Sequence, residues 1–341
     1  MGTFCLFSCL QRKNFSYYSV VLYPLGHLPM YRIILFVVTL ACVHSVQAET
    51  WTLPPVDIDI FGQVQTTTTS RKETLLDVAR EYDIGQIEIL LANPNVDRWL
   101  PDDGAEVILP SRYIIPQAER KGLVLNLPEM RMFFFPKPKK GEKPVVVTHP
   151  VSIGRMDWDT PLGKTKIVGK RKDPTWTPPQ SLKDEAIAAG DPPLPDVVPA
   201  GPDNPLGQYA LRLGTGNGSY LIHGTNRPYG VGMRVTHGCV RMYPEDIERL
   251  FDIISVGTQV QLVNQPIKLG WIIDTLFIEL HPPLDEDEEK YVNYERMVTL
   301  AINDFFALES NRASNSVVEI DNVALKQAIT EMSGIPVQIS N

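Results

Sequence analysis

Between Leu123 and Ile222 the chain passes through six short apolar runs, none long enough for a helix, and this constrains the fold more than any other feature of the sequence. The runs are Leu123-Val124-Leu125, Arg131-Met132-Phe133-Phe134-Phe135, Val145-Val146-Val147, Thr165-Lys166-Ile167-Val168, Tyr209-Ala210-Leu211 and Tyr220-Leu221-Ile222. Short stretches rich in β-branched and aromatic residues read as strands. Residues 121–265 are therefore expected to form a mainly β domain. One stretch, Pro174 to Pro205, interrupts the series and holds many of the 29 prolines. It reads as a long ordered loop without regular structure, the kind that serves as a lid or substrate-binding loop.

Two smaller regions flank this domain. In residues 49–120, Ser70 to Glu73 reads as a capping box opening a helix through Leu75, Leu76, Val78 and Ala79. A second helix near Ile87 to Leu91 stops at Asn93-Pro94, and Val107-Ile108-Leu109 reads as a strand, giving a small α+β module. In residues 266–341, Trp271-Ile272-Ile273 reads as a strand and the acidic run Asp285 to Glu289 as a solvated turn. A final helix is expected from Asp321, its cap, to Met332, stopped by Gly334. This α/β C-terminal region carries no evident catalytic chemistry.

Residues 1–48 read as a leader. Met30 is taken as the start, followed by Arg32, an apolar run Ile33 to Val38, and small residues Val46 and Ala48 that fit secretory cleavage after Ala48. The run is short for a bilayer span, so no stable membrane span is expected after cleavage. Cleavage removes Arg12, Lys13 and Arg32 and no acid, taking the net charge from −8 to −11. So acidic a chain is a poor nucleic-acid binder. Cleavage also removes Cys5, Cys9 and Cys42, leaving Cys239 as a lone thiol, either inert and buried or reactive.

Its surroundings favour reactivity. His223-Gly224-Thr225-Asn226 is followed by Arg234-Val235-Thr236-His237-Gly238-Cys239-Val240-Arg241. A thiol attacks as thiolate, and a neighbouring imidazole can take its proton. His237, two residues before Cys239, would share its face on an extended strand; His223 would reach it from an adjacent strand. Proximity alone does not rank the two. Gly238 leaves the nucleophile uncrowded, and backbone amides beside it could receive an oxyanion. Arg234 and Arg241 suit a carboxylate. Asn226 either orients the site or shapes a turn. A zinc site on His223, His237 and Cys239 lacks a fourth ligand at suitable spacing, so no metal or cofactor is expected.

His223-Gly224-Thr225-Asn226 and Thr236-His237-Gly238-Cys239-Val240-Arg241 resemble the signature of the YkuD-type L,D-transpeptidases. Asn126 to Arg131, Ser152-Ile153-Gly154, Thr160 to Gly163, Pro174 to Pro178 and Val198 to Gly207 resemble the ErfK/YbiS branch of Gram-negative bacteria. The helix pair of residues 49–120 is similar to a LysM glycan-binding module. The resemblance implies a YkuD-like β-sandwich or barrel with flanking helices. It implies Cys239 as nucleophile and His223 as general base, its other ring nitrogen held by the Gly224 carbonyl. His237 would support the site, and Thr236 stands where the family more often has Ser. The implied substrate is a peptidoglycan tetrapeptide stem in the periplasm. D-Ala would be released and the acyl group passed to an outer-membrane lipoprotein lysine or a second diaminopimelate. A hydrolase using the same thioester, or a non-catalytic wall-binding protein, are the alternatives.

Overall fold

All six runs lie in one mixed sheet of nine strands. The computed structural model describes residues 49–55, 57–155, 160–215, 220–309 and 318–340. The expected leader, with its Met30 start and Ala48 cleavage site, lies outside them.

In spatial order the sheet runs Glu49–Thr52, Val145–Pro150, Arg131–Phe135, Gly122–Asn126, Gln259–Val263, Gly163–Lys172, Tyr209–Leu213, Leu221–His223 and Val240–Arg241. It curls strongly. Ser152, just beyond the second strand in this order, exchanges both backbone hydrogen bonds with Arg241 of the ninth, at 2.8 and 2.9 Å. The curled sheet wraps an apolar interior built from Leu123, Leu125, Met132, Phe134, Leu211, Ile222, Val240 and Val260. Helix Pro244–Ile253 adds Ile247 and Leu250 to it.

Strands Gly122–Asn126 and Arg131–Phe135 are buried at every position. The side chains still alternate. Val124, Phe133 and Phe135 face a second cluster with Phe61, Tyr113 and Val146, contributed partly by the N-terminal region. A strand covered on both faces loses the polar alternation of a half-exposed one, so it reads as a continuous apolar run.

The N-terminal region pairs Gln65–Thr68 with Glu106–Leu109, and between them in sequence lie helices Leu75–Glu81 and Gln86–Ala92. The first helix begins later than the expected cap. Thr74 and Asp77 form the capping box, while Ser70 and Glu73 close the turn before it. Asn93 ends the second helix and ties it to the neighbouring strand: its Nδ2 donates to Ile89 and Ile108 carbonyls, and its Oδ1 accepts from Ile108 N at 2.7 Å.

This region docks on the main sheet and on the segment that leads into the motif. Buried Arg131 forms a two-pronged pair with Glu88, at 2.6 and 2.8 Å. Gln86 N and Ile87 N donate to the carbonyls of Val231 and Gly232. Gly232 has φ +84°, and a Cβ there would lie 2.3 Å from Gln86 N, so only glycine permits the approach. Both contacts fall immediately before the motif that begins at Arg234.

The C-terminal region forms a three-stranded antiparallel sheet, Ile267–Ile272, Thr275–Leu280 and Val337–Gln338, beneath helices Tyr294–Leu308 and Asn322–Glu331. Asp321 caps the last helix through Val323 N and Ala324 N. Two expectations need correcting. The strand through Trp271 ends at Ile272; Ile273, with φ +56°, sits in the two-residue hairpin turn instead. The acidic run is not merely solvated: Asp285 and Glu286 pair with Arg234, and Asp287 accepts from Asn264. No helix among the described residues is long and apolar enough to cross a membrane.

Candidate active site

The motif residues gather at the curled edge of the sheet. Strands Leu221–His223 and Val240–Arg241 run parallel, with Ile222 opposite Val240 and His223 opposite Arg241. Continued one step back, that register sets Cys239 beside Leu221. Residues two apart along a strand share a face, so His223 and Arg241 lie on the face that Cys239 enters. Its diagonal neighbour there is His223, and such diagonals, roughly 7–8 Å between Cα atoms, are within reach of a ring.

The chain reaches Cys239 through a bend. Strand Arg234–Thr236 ends, and Gly238 takes φ +86°, a left-handed conformation that favours glycine. His237 and Cys239 thus do not share an extended strand, contrary to the simplest sequence expectation. Thr236 closes the bend by donating its hydroxyl to the Cys239 carbonyl, and it is buried.

His223 is buried and its Nδ1 lies 2.6 Å from the Gly224 carbonyl oxygen. A carbonyl only accepts, so Nδ1 carries the hydrogen and Nε2 keeps its lone pair. Burial, helped by the positive charge of Arg241, lowers the ring's pKa to about 4. The ring is therefore neutral at pH 7 and able to receive a proton. Half-buried Cys239 shifts the other way: burial raises its pKa, against a hydrogen bond from the Leu221 backbone and the charge of Arg241. Burial thus favours a neutral thiol beside a neutral ring over a resting thiolate–imidazolium pair.

Arg241 is the candidate anion holder. Among the described residues no carboxylate pairs with its guanidinium, and its Nε is buried without a hydrogen-bond partner. Arg234, by contrast, is engaged by Asp285 at 2.9 Å and Glu286 at 2.7 Å and donates to the Gly154 carbonyl. Asn226 is exposed, and the adjoining turn is shaped by Thr225, whose hydroxyl accepts from Arg227 N.

Two participants were not singled out from the sequence. Thr160 donates its hydroxyl to the Gly238 carbonyl and accepts from Gly154 N, fixing the bend before the nucleophile. Glu185 pairs with Arg155 and lies 3.4 Å from His237 Nε2. Glu185 belongs to helix Gln180–Ala189, which forms within the stretch expected to be loop alone. That helix buries no side chain and reaches the site through polar contacts. Its flanking loops are pinned by buried Asn204, which donates to the Pro174 and Pro199 carbonyls. The signal for Thr160 lay in the Thr160 to Gly163 block; Glu185 had none, because its partners lie 30 and 52 residues away.

Metal-ligating side chains cluster in two places among the described residues: Asp83 with His149 and Asp246, and Glu129 with Glu279 and His281. Neither includes Cys239, His223 or His237.

The YkuD L,D-transpeptidase catalytic domain matches residues 120–262. The probable L,D-transpeptidase YbiS of Escherichia coli strain K12 is 39% identical over 300 residues, covering 87% of this chain and 94% of that protein. The probable L,D-transpeptidase ErfK/SrfK of the same strain is 37% identical over 302 residues, covering 87% and 93%. Among solved structures, L,D-transpeptidase 3 from Mycobacterium tuberculosis overlaps 49% of this chain and 73% of its own at 19% identity, with a TM-score of 0.30.

Proposed function

The chain belongs to the YkuD-type L,D-transpeptidases, in the ErfK/YbiS branch, and from that premise we propose that Cys239 carries a peptide acyl group as a thioester while His223 takes the thiol proton. One observation supports this reading above the others. The parallel register sets His223 opposite Arg241, which lies two residues from the lone thiol of Cys239 and has no carboxylate partner among the described residues. The Gly224 carbonyl leaves Nε2 of His223 as the ring's only acceptor.

The proposed donor is a peptidoglycan tetrapeptide stem. Cys239 Sγ attacks the diaminopimelate carbonyl as Nε2 of His223 receives the thiol proton. The tetrahedral oxyanion collapses, the bond to D-Ala breaks, and the departing amine takes that proton. An acceptor amine then attacks the thioester, gives its proton to His223, and restores the thiol as the new amide forms. The donor bond supplies the driving force, so the scheme calls for no cofactor. Arg241 holds a substrate carboxylate in this scheme. Arg234, engaged by two acids, has less freedom for that task. Thr236 and Gly238 set the bend that presents the sulfur, Asn226 is an exposed candidate contact, and His237 with Glu185 steadies the approach. The N-terminal βααβ region is proposed to hold glycan as a LysM-like module, and the enzyme to work in the periplasm.

Purified protein incubated with tetrapeptide stems and an amine acceptor, followed by mass spectrometry, tests the reaction. Transfer products bearing the amine are expected. The lysine of an outer-membrane lipoprotein and a second diaminopimelate are the two acceptors to compare. Free tripeptide as the sole product would make the chain a hydrolase that uses water.

The pKa of His223 sets a second expectation. Its ring is competent as base only when unprotonated, so activity falls as pH drops through about 4. The acid limb of the acylation rate should lie near there, well below the ordinary histidine range. A limb near pH 6.5 would mean that the ring is solvated during turnover and the buried geometry is not the working one.

A further inference from the structure

Outside the catalytic site, one buried cluster has fewer partners than its charge requires. Asp83 lies in the turn between helices Leu75–Glu81 and Gln86–Ala92, His149 on strand Val145–Pro150, and Asp246 on helix Pro244–Ile253. All three are at most 2% exposed. Among the described residues neither carboxylate oxygen of Asp83 has a hydrogen-bond partner; nor do Nδ1 of His149 and Oδ2 of Asp246. Two guanidiniums approach only from the rim. Arg249 donates to Asp246 Oδ1, and Arg131 donates to the Asp83 peptide oxygen while its charge is met by Glu88. Burying carboxylates with so few close partners is costly.

The same chain contains an instructive contrast. In the cluster of Glu129, Glu279 and His281 the ammonium of Lys268 fills the centre, 2.7 Å from each glutamate. Among the described residues no lysine fills the centre of the Asp83 cluster, where Arg249 reaches only Asp246 Oδ1, and its ligand atoms converge within 4.8 Å of one another. His149 Nδ1 stands 3.7 Å from Asp83 Oδ2 and 3.5 Å from Asp246 Oδ1. Those separations are at or beyond the limit of a hydrogen bond. They fit two ligands sharing one metal: bonds of about 2.1 Å at a tetrahedral angle put neighbouring ligand atoms about 3.4 Å apart.

We infer that Asp83, His149 and Asp246 form a structural site for a divalent transition metal, zinc by its ligand chemistry. One imidazole and two carboxylates suit zinc, and the second unpartnered oxygen of Asp83 is available as a fourth ligand. The ion would fasten the N-terminal region to the sheet and to the helix that begins five residues after Cys239. It takes no part in the acyl transfer, so the inference stands independently of the catalytic proposal.

The full chain, purified and stripped with chelator, is to be titrated with zinc while bound metal and thermal stability are measured. One zinc per chain and a rise in Tm of roughly 5 °C or more at saturation are expected. Asp83→Asn and His149→Gln should each weaken binding by about 100-fold, whereas Cys239→Ala should leave it unchanged. Should a variant not fold, the response of the unaltered chain still decides. No bound zinc and an indifferent Tm would overturn the inference, leaving His149 as a protonated bridge between two acids. So would zinc retained by both cluster variants, or lost in Cys239→Ala, since either result would put the ion elsewhere.

Discussion

Replacing Cys239 with alanine is expected to lower acyl transfer at least about 10⁴-fold while leaving the fold intact. The size follows from the proposed role. A nucleophile that forms the covalent intermediate has no substitute within the site, and water alone would have to attack the donor carbonyl. The fold should survive because the change removes one sulfur from a half-buried position. Gly238, which needs its left-handed conformation, and Thr236, which closes the bend onto the backbone carbonyl of residue 239, keep their roles. Tm is expected to move by no more than a few degrees. The informative measurement is paired: stem turnover and covalent labelling by the stem donor on one side, sacculus binding on the other. Lost turnover and labelling with retained binding would separate catalysis by Cys239 from the glycan recognition proposed for the N-terminal region. Persisting turnover would remove Cys239 from the mechanism altogether.

What the sequence disclosed depended on how local the determinants were. The strand at Arg131–Phe135 could be read residue for residue, because its aromatic run is itself the reason it is buried on both faces. The cap at Asp321 was legible for the same reason, since the aspartate and the amides it accepts from are adjacent. Helix Gln180–Ala189 was not legible. It has no apolar face, and the ion pairs of Glu185 with Arg155 and His237 join positions far apart in sequence. Arg234 shows the same limit. From its neighbours it reads as a substrate contact, but its partners are acids fifty residues further on. The choice between His223 and His237 was also beyond spacing arguments. The bend at Gly238 interrupts the extended strand that His237 and Cys239 would have shared, and the pairing of His223 with Arg241 joins strands that lie far apart in sequence.

Lys268 is the strongest case of a residue whose sequence context misleads. A lysine ordinarily reads as surface charge. Here its side chain is 1% exposed, and its ammonium meets Glu129, Glu279 and the Ile114 carbonyl at 2.7, 2.7 and 2.8 Å. Glu129 comes from the turn between two strands of the main sheet, Ile114 from the N-terminal region, and Glu279 from the C-terminal sheet. One cation thus joins three parts of the chain. Lys268→Met keeps most of the side-chain volume and removes the charge, leaving two buried carboxylates facing each other. The expected loss is about 3–5 kcal/mol, read as a fall in Tm of roughly 10 °C. Its pH dependence identifies the cause. Burial already raises the pKa of both glutamates, and Lys268 opposes that rise. Without it they climb further above their unfolded values, so the folded variant binds more protons than the unfolded chain. Its stability then declines as pH rises through the unfolded glutamate range toward the raised folded values. The deficit should therefore be larger at pH 8 than at pH 5. Glu129→Gln and Glu279→Gln added to Lys268→Met should recover part of it, because no uncompensated charge remains. A loss below about 1 kcal/mol that does not vary with pH would mean that Lys268 contributes packing alone, and that the three regions are held together by their apolar contacts.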